Sequence, residues 1–316
     1  MVKAYPSAPT IALVLFASMF SPVLFQQAPP KQADSQQPDY LQKAALSSIF
    51  VYDSTLKPCE SAPPNMTIAP LGSAFVVGIT NKKTTTPQLW SGWKFLITAK
   101  HVIGDRTQII ARLNLANKAE FTCQSLDLKR IGTERNVFLA GDGIDLVAIG
   151  LPNIPGTDPL VFGYSFLLDE PMMKDWHMGV GTHVFTVGYL LGYSGEKANF
   201  PVTKFGDISV ITAESWYYNS ESRLKEQGYV VELPNAPGLS GAPLMTHGFE
   251  FQSNPFRFRE LPPYVVGVVK GMLLVSVNGS LISQGLAVVE PGSNLRALIK
   301  QIADMLKAGG EDVDLQ

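Results

Sequence analysis

Two cysteines, Cys59 and Cys123, are all that the 316 residues contain. That excludes a disulfide-built scaffold but still permits one bridge in an oxidising compartment. Whether the two pair or stay as separate core thiols is open at this stage. No Cys-x-x-Cys spacing occurs, so a structural zinc site has no ligand pattern to begin from. Histidine is scarce as well: His101, His177, His183 and His247 complete the set. A surplus of charge of one sign is also missing. The formal net charge is −2, whereas a nucleic-acid surface asks for a basic face. No repeat of 20–50 residues is present. Neither a cofactor nor a metal is expected.

Long apolar runs are nearly absent too, and the exception is informative. After Lys3, the stretch Ile11-Ala12-Leu13-Val14-Leu15-Phe16-Ala17-Ser18-Met19-Phe20 continues into Pro22-Val23-Leu24-Phe25. A basic start followed by an apolar stretch of this length is the pattern of an export signal. It is short for a spanning helix, which needs roughly 20 apolar residues, and Pro22 interrupts it. Residues 1–28 are therefore expected to be a signal peptide or an N-terminal membrane anchor. The chain is placed among exported proteins: periplasmic, secreted or membrane-anchored. Residues 29–45 begin rich in Gln and Pro and read as a disordered linker, with a short helix possible over 40–50.

From about residue 51 the texture changes. Short β-branched and aromatic runs recur, such as 73–79, 93–98, 145–149, 183–187, 207–211, 228–233 and 264–269. Gly, Pro and Asn separate them. Many short strands with turn signals between them point to an all-β barrel or sandwich. One helix stands apart. Leu295, Leu298, Ile299, Ile302 and Leu306 fall at helical spacing, with Ser293 or Asn294 as cap and Gly309-Gly310 as stop. The helix is expected over 293–307 and a solvated acidic tail over 308–316.

Acyl transfer at an amide needs a nucleophile, a base, an orienter and oxyanion donors. Ser240 lies in Pro237-Gly238-Leu239-Ser240-Gly241-Ala242-Pro243, a tight turn in which glycine lets backbone N–H groups face a ligand. The amides of Gly238 and Ser240 are the candidate oxyanion hole. Ala242 removes the Gly-x-Ser-x-Gly elbow of the α/β-hydrolases. His101 follows the apolar run 95–99, where a strand ends. Asp145 directly precedes the apolar run 146–149, and a carboxylate there is costly to bury without hydrogen bonds. Asp142 competes for the orienting role, although Asp142-Gly143 reads as a turn pair. His177 and His183 lack supporting context, and His247 should point away from the Ser240 turn.

Thr98-Ala99-Lys100-His101-Val102, Asp145-Leu146-Val147-Ala148-Ile149 and Gly238-Leu239-Ser240-Gly241-Ala242-Pro243, in that order, resemble the trypsin-like serine peptidases. Within that superfamily they resemble bacterial HtrA-like members more than digestive trypsins. Gly72-Ser73-Ala74-Phe75, 203–209 and 285–289 add weaker likeness over residues 50–305. The resemblance implies two six-stranded antiparallel β-barrels, about 46–160 and 175–290, followed by the C-terminal helix. The triad His101, Asp145 and Ser240 would lie in the cleft between them, acting on a protein or peptide substrate. Leu239 and Ala242 depart from the pattern, and no segment resembles the HtrA PDZ module. The specificity pocket would be walled by Pro234-Asn235-Ala236 and Val268-Val269-Lys270-Gly271, which suits a small or apolar side chain. The segments 80–92 and 247–262 read as long hairpin loops, the second carrying Phe249, Phe251, Phe256 and Phe258. A catalytically silent binding protein on the same fold, or a structural envelope protein, are the rival readings.

Overall fold

Apolar runs that fail to alternate with polar residues are strands covered on both faces, and three such strands hold this fold together. On β2 (Gly72–Asn81), β3 (Gly92–Ala99) and β7 (Leu146–Leu151), alternate residues enter two different cores. Phe75, Val77, Phe95, Ile97, Leu146 and Ala148 face one core, whereas Val76, Leu96, Val147 and Ile149 face the other. The computed structural model describes residues 40–56, 69–81, 92–116, 119–128, 136–211, 217–218, 225–226, 228–234, 237–253, 256–277 and 280–315. The expected signal or anchor, the linker up to residue 39, Cys59 and most of the 80–92 segment lie outside these residues.

The chain enters through helix α1 (Tyr40–Leu46), so the expected linker gives way to ordered structure at Tyr40. β1 (Ile49–Asp53) then pairs with β2 and with β4 (Gln108–Asn114), and β4 pairs with β5 (Phe121–Asp127). The short helix α2 (Lys100–Ile103) follows β3 directly. β3 pairs with β7, which pairs with β6 (Val137–Leu139). β8 (Val161–Phe162) runs parallel to β2. This first unit differs from the expected closed six-stranded barrel. It is a nine-stranded sheet running from β5 to β6, and no ladder joins those two edges among the described residues.

After helix α3 (Glu170–Asp175), a second unit closes fully. Its six strands are β9 (His183–Gly188), β10 (Val202–Val210), β13 (Tyr229–Glu232), β14 (Pro243–Ser253), β15 (Phe256–Val277) and β16 (Ser280–Pro291). β11 (Tyr217–Tyr218) and β12 (Lys225–Glu226) form a separate small ladder. The 247–262 segment is two paired strands rather than a loop, with Phe251 opposite Phe258. The side chains of its four phenylalanines lie outside the described residues.

Helix α4 (Gly292–Ala308) buries Leu295, Leu298, Ile299 and Ile302 in the core shared by both units. Its cap differs from expectation. Pro291 holds the N-cap position, while Ser293 donates to Glu170 and Asn294 to Glu290. Carboxylates, one distant in sequence and one on the preceding turn, have claimed the side chains that would otherwise close the helix. The acidic tail is not wholly solvated either. Val313 is buried, and β17 (Val313–Asp314) pairs with β2. Cys123 on β5 is disulfide-bonded.

Candidate active site

His101 sits on the first turn after β3, because that strand ends where its ladder with β7 ends, at Ala99 opposite Leu146. The same ladder brings Asp145, one residue before β7, beside it. The Lys100 N–H donates to the Asp145 carbonyl at 3.2 Å. The His101 backbone N–H donates to Asp145 Oδ1 at 2.9 Å. Asp145 Oδ2 lies 2.6 Å from His101 Nδ1. An ionised carboxylate only accepts, so Nδ1 carries the proton and Nε2 is left as the basic nitrogen. The imidazole is half exposed and Asp145 is 15% exposed, so the ring is open on its far side while its partner is covered. Asp142 is exposed in the turn that precedes.

Ser240 comes from the second unit, but the first unit fixes its backbone. The Ser73 N–H donates to the Ser240 carbonyl at 2.8 Å. Gly72 is squeezed between that carbonyl and Val102, and a Cβ there would lie 2.7 and 2.8 Å from the two. Val102 follows His101 directly, so the serine turn and the histidine turn are neighbours across Gly72. Gly241 is equally constrained. Its φ is +86°, and an added Cβ would fall 2.1 Å from the Ser73 carbonyl oxygen and 2.2 Å from Thr98 Oγ1. Only glycine fits a left-handed position against another backbone.

All four carbonyls from Pro237 to Ser240 are occupied. Pro237 accepts from the Leu191 N–H at 3.0 Å, and Leu239 accepts from the Ala242 N–H at 2.9 Å. Gly238 accepts from Ser73 Oγ at 2.8 Å, and that hydroxyl itself accepts from the Tyr189 N–H. A trans peptide sets each carbonyl opposite the next N–H. The Gly238 and Ser240 amides thus point away from the tied Pro237 and Leu239 carbonyls. Neither has a partner among the described residues. Leu239, which stands where the resembled family carries a polar residue, is fully buried and packs on Ala242 and Val269.

The Ser240 hydroxyl donates to the Lys270 carbonyl at 3.2 Å. Lys270 is the extra residue of a bulge, since Val269 pairs with Val289 but Gly271 with Val288. Bulges re-aim side chains, and at this one the Lys270 side chain is buried. Its Nζ lies 3.3 Å from Glu290 Oε2, with the side chains 8% and 2% exposed. Glu290 Oε2 also accepts the Asp145 N–H at 3.1 Å, and Oε1 accepts from Asn294 at 2.6 Å. Burial pushes the Glu290 carboxyl above its ordinary range, and the nearby Lys270 cation opposes that push. Of the expected pocket residues, Asn235 and Ala236 lie outside the described ones.

Sequence reasoning passed over Ser73, Leu191 and Glu290. Glu290 did leave a signal, because it ends the apolar run Ala287-Val288-Val289, and a charge in such a place needs a partner. Lys270 ends Val265–Val269 in the same way, apart from Gly267. His183 pairs with Asp207 on the outer face of the second barrel, and His177 occupies the turn after α3. The His247 side chain is outside the described residues. Among the described residues, no three His, Cys, Asp or Glu side chains gather as a metal site would require.

No protein-family model matches the chain, and no curated protein matches it. Solved structures do. The inactive form of Rv3671c protease is 15% identical, covers 84% of this chain and 92% of its own, and superposes with a TM-score of 0.45. The Rv3671c protease of M. tuberculosis in its active form is also 15% identical, over 90% of this chain and 94% of its own, with a TM-score of 0.44. The chain is likewise similar to the MamO protease domain from Magnetospirillum magneticum in its apo form, at 11% identity over 81% of this chain and 97% of that one, with a TM-score of 0.47.

Proposed function

We propose that the chain is an exported serine endopeptidase using His101, Asp145 and Ser240. The observation that carries this reading is the Asp145-held imidazole beside a serine turn whose Gly238 and Ser240 amides have no partner among the described residues. In this reading the Ser240 hydroxyl leaves the Lys270 carbonyl and turns toward His101 Nε2. The imidazole takes the hydroxyl proton as Oγ attacks the scissile carbonyl. The Gly238 and Ser240 amides hold the oxyanion. The imidazolium, steadied by Asp145, returns the proton to the leaving amine as the C–N bond breaks. Water then hydrolyses the acyl-enzyme through the same base. Export is supported by the apolar segment within residues 1–28 and by the disulfide at Cys123, since such bonds persist in oxidising compartments. No described helix is long and apolar enough to cross a membrane.

The Lys270 contact favours one second reading, a silent binding protein whose serine stays parked. Labelling with a serine-reactive phosphonate separates the two. The wild-type chain should be labelled at Ser240, and Ser240→Ala should lose both labelling and peptide cleavage, by roughly 10⁴–10⁶-fold for the latter. Cleavage that survives in a folded Ser240→Ala chain would sink the peptidase assignment. A wild-type chain that no condition allows to be labelled would favour the binding reading.

A further inference from the structure

The buried Lys270–Glu290 pair lies outside the triad yet touches both halves of it. Glu290 accepts the Asp145 N–H, and the Lys270 carbonyl accepts the Ser240 hydroxyl. Two opposite charges buried together cost desolvation that their attraction only partly returns, so an apolar pair would serve stability as well. Stability alone therefore does not account for them. Asp145 is gripped at three points: its carbonyl by Lys100, its carboxylate by His101, and its N–H by Glu290. The Glu290 contact is the one that reaches Asp145 from the second unit. The carboxylate is itself fixed by Asn294 on the first turn of α4 and by the buried Lys270.

We propose that Glu290 is a positioning residue for the His101–Asp145 pair, holding the Asp145 peptide through its N–H, with Lys270 as the charge partner that allows Glu290 to sit there. The inference rests on the peptidase reading, but its geometric content does not need turnover. Glu290 sits on β16 and Asp145 precedes β7, so the contact registers the orienter of one unit against a strand of the other. Misplacement of that peptide moves both carboxylate oxygens relative to the imidazole.

Removing one charge alone leaves the other buried, so the informative variants are two neutral pairs in the full chain. Lys270→Met with Glu290→Gln keeps an oxygen that can accept the Asp145 N–H. Lys270→Met with Glu290→Leu removes it. The readouts are the low-field proton resonance of the His101 Nδ1–H, assigned with a His101→Gln control, and the phosphonate labelling rate at Ser240. The Met/Gln chain should keep the resonance and at least a third of the wild-type rate. The Met/Leu chain should lose or shift the resonance and react about tenfold or more slowly, a loss of the size that small misplacements produce, while still melting cooperatively. If Met/Leu does not fold, Asn294→Ala loosens the same carboxylate and should shift the resonance and slow labelling about threefold, an expectation of the same origin. A Met/Leu chain, or failing that Asn294→Ala, with resonance and rate both unchanged overturns the proposal. So does a Met/Gln chain as impaired as Met/Leu. A wild-type chain that is never labelled, but whose resonance follows this order, refutes the peptidase reading and leaves the positioning role standing.

Discussion

Ser73→Ala deletes one oxygen from a fully buried residue and so isolates what the hydroxyl does. That oxygen accepts the Tyr189 N–H and donates to the Gly238 carbonyl, both at 2.8 Å. Its loss leaves one buried and one partly buried backbone group without partners, at roughly 1–3 kcal/mol each. The expected destabilisation is therefore about 2–6 kcal/mol, a large part of the roughly 5–15 kcal/mol that holds an ordinary domain together. Urea unfolding should show a lower midpoint at unchanged slope. The structure supplies an internal control. Ser48 is also buried, but its hydroxyl has no partner among the described residues. Ser48→Ala should consequently be neutral within about 0.5 kcal/mol or slightly stabilising. The functional arm runs in parallel. Releasing the Gly238 carbonyl frees the turn that aims the oxyanion amides, and complete loss of one such donor costs about 10²–10³ in rate. Ser73→Ala should slow phosphonate labelling toward that range while Ser48→Ala leaves it unchanged. Equal stabilities and equal labelling rates for the two alanine variants would refute the account of Ser73 as the clamp on the turn.

Two further tests address the turn and the surface. Gly241→Ala forces a Cβ into the Ser73 carbonyl and Thr98 Oγ1. The left-handed backbone alone costs about 1–2 kcal/mol, so thermal melts should show a larger loss than that, accompanied by abolished labelling; a variant as stable as wild type contradicts the packing. Asp53 is held down to about 2 by the Thr55 N–H, the Arg106 guanidinium and the Thr55 hydroxyl. A lowered carboxyl stabilises the folded state above its ordinary value of 3.8 and loses that contribution as pH falls toward about 2. Melting curves of wild type and Asp53→Asn should therefore differ near neutral pH and converge below pH 2. A gap that is constant with pH would rule out the ionic origin.

Local sequence carried a good deal of this architecture. The runs at 73–79, 93–98 and 183–187 are strands β2, β3 and β9, because β-branched and aromatic content and bounding turns are local properties. The residues His101, Asp145 and Ser240 could be named from chain order and context. What sets them in space could not, since it depends on Gly72, Ser73 and Val102 converging from β2 and α2. The cap of α4 was misjudged for a related reason. Ser293 and Asn294 suit a helix start, but Glu170 and Glu290 compete for them; Glu170 is distant in sequence, and Glu290, four residues before Asn294, is held there by its own burial beside Lys270. The bulge at Lys270 is invisible in composition because it is a mismatch between two ladders. The open first sheet is likewise a property of which edges meet, and no window of residues encodes that.

The pairing of β17 with β2 ties a late strand to an early one. β2 supplies Gly72 and Ser73 to the serine turn at one end and receives Val313 at Asn81 at the other. The partners are far apart in the chain, and such contacts are slow to form because loop closure must precede any gain from pairing. Synthesis delivers the amino-terminal strands first. The strand that holds the Ser240 carbonyl gains this ladder only once residues 313 and 314 are in place. Residues 313 and 314 thus cover the far end of the same strand whose near end carries Gly72 and Ser73 against the Ser240 turn.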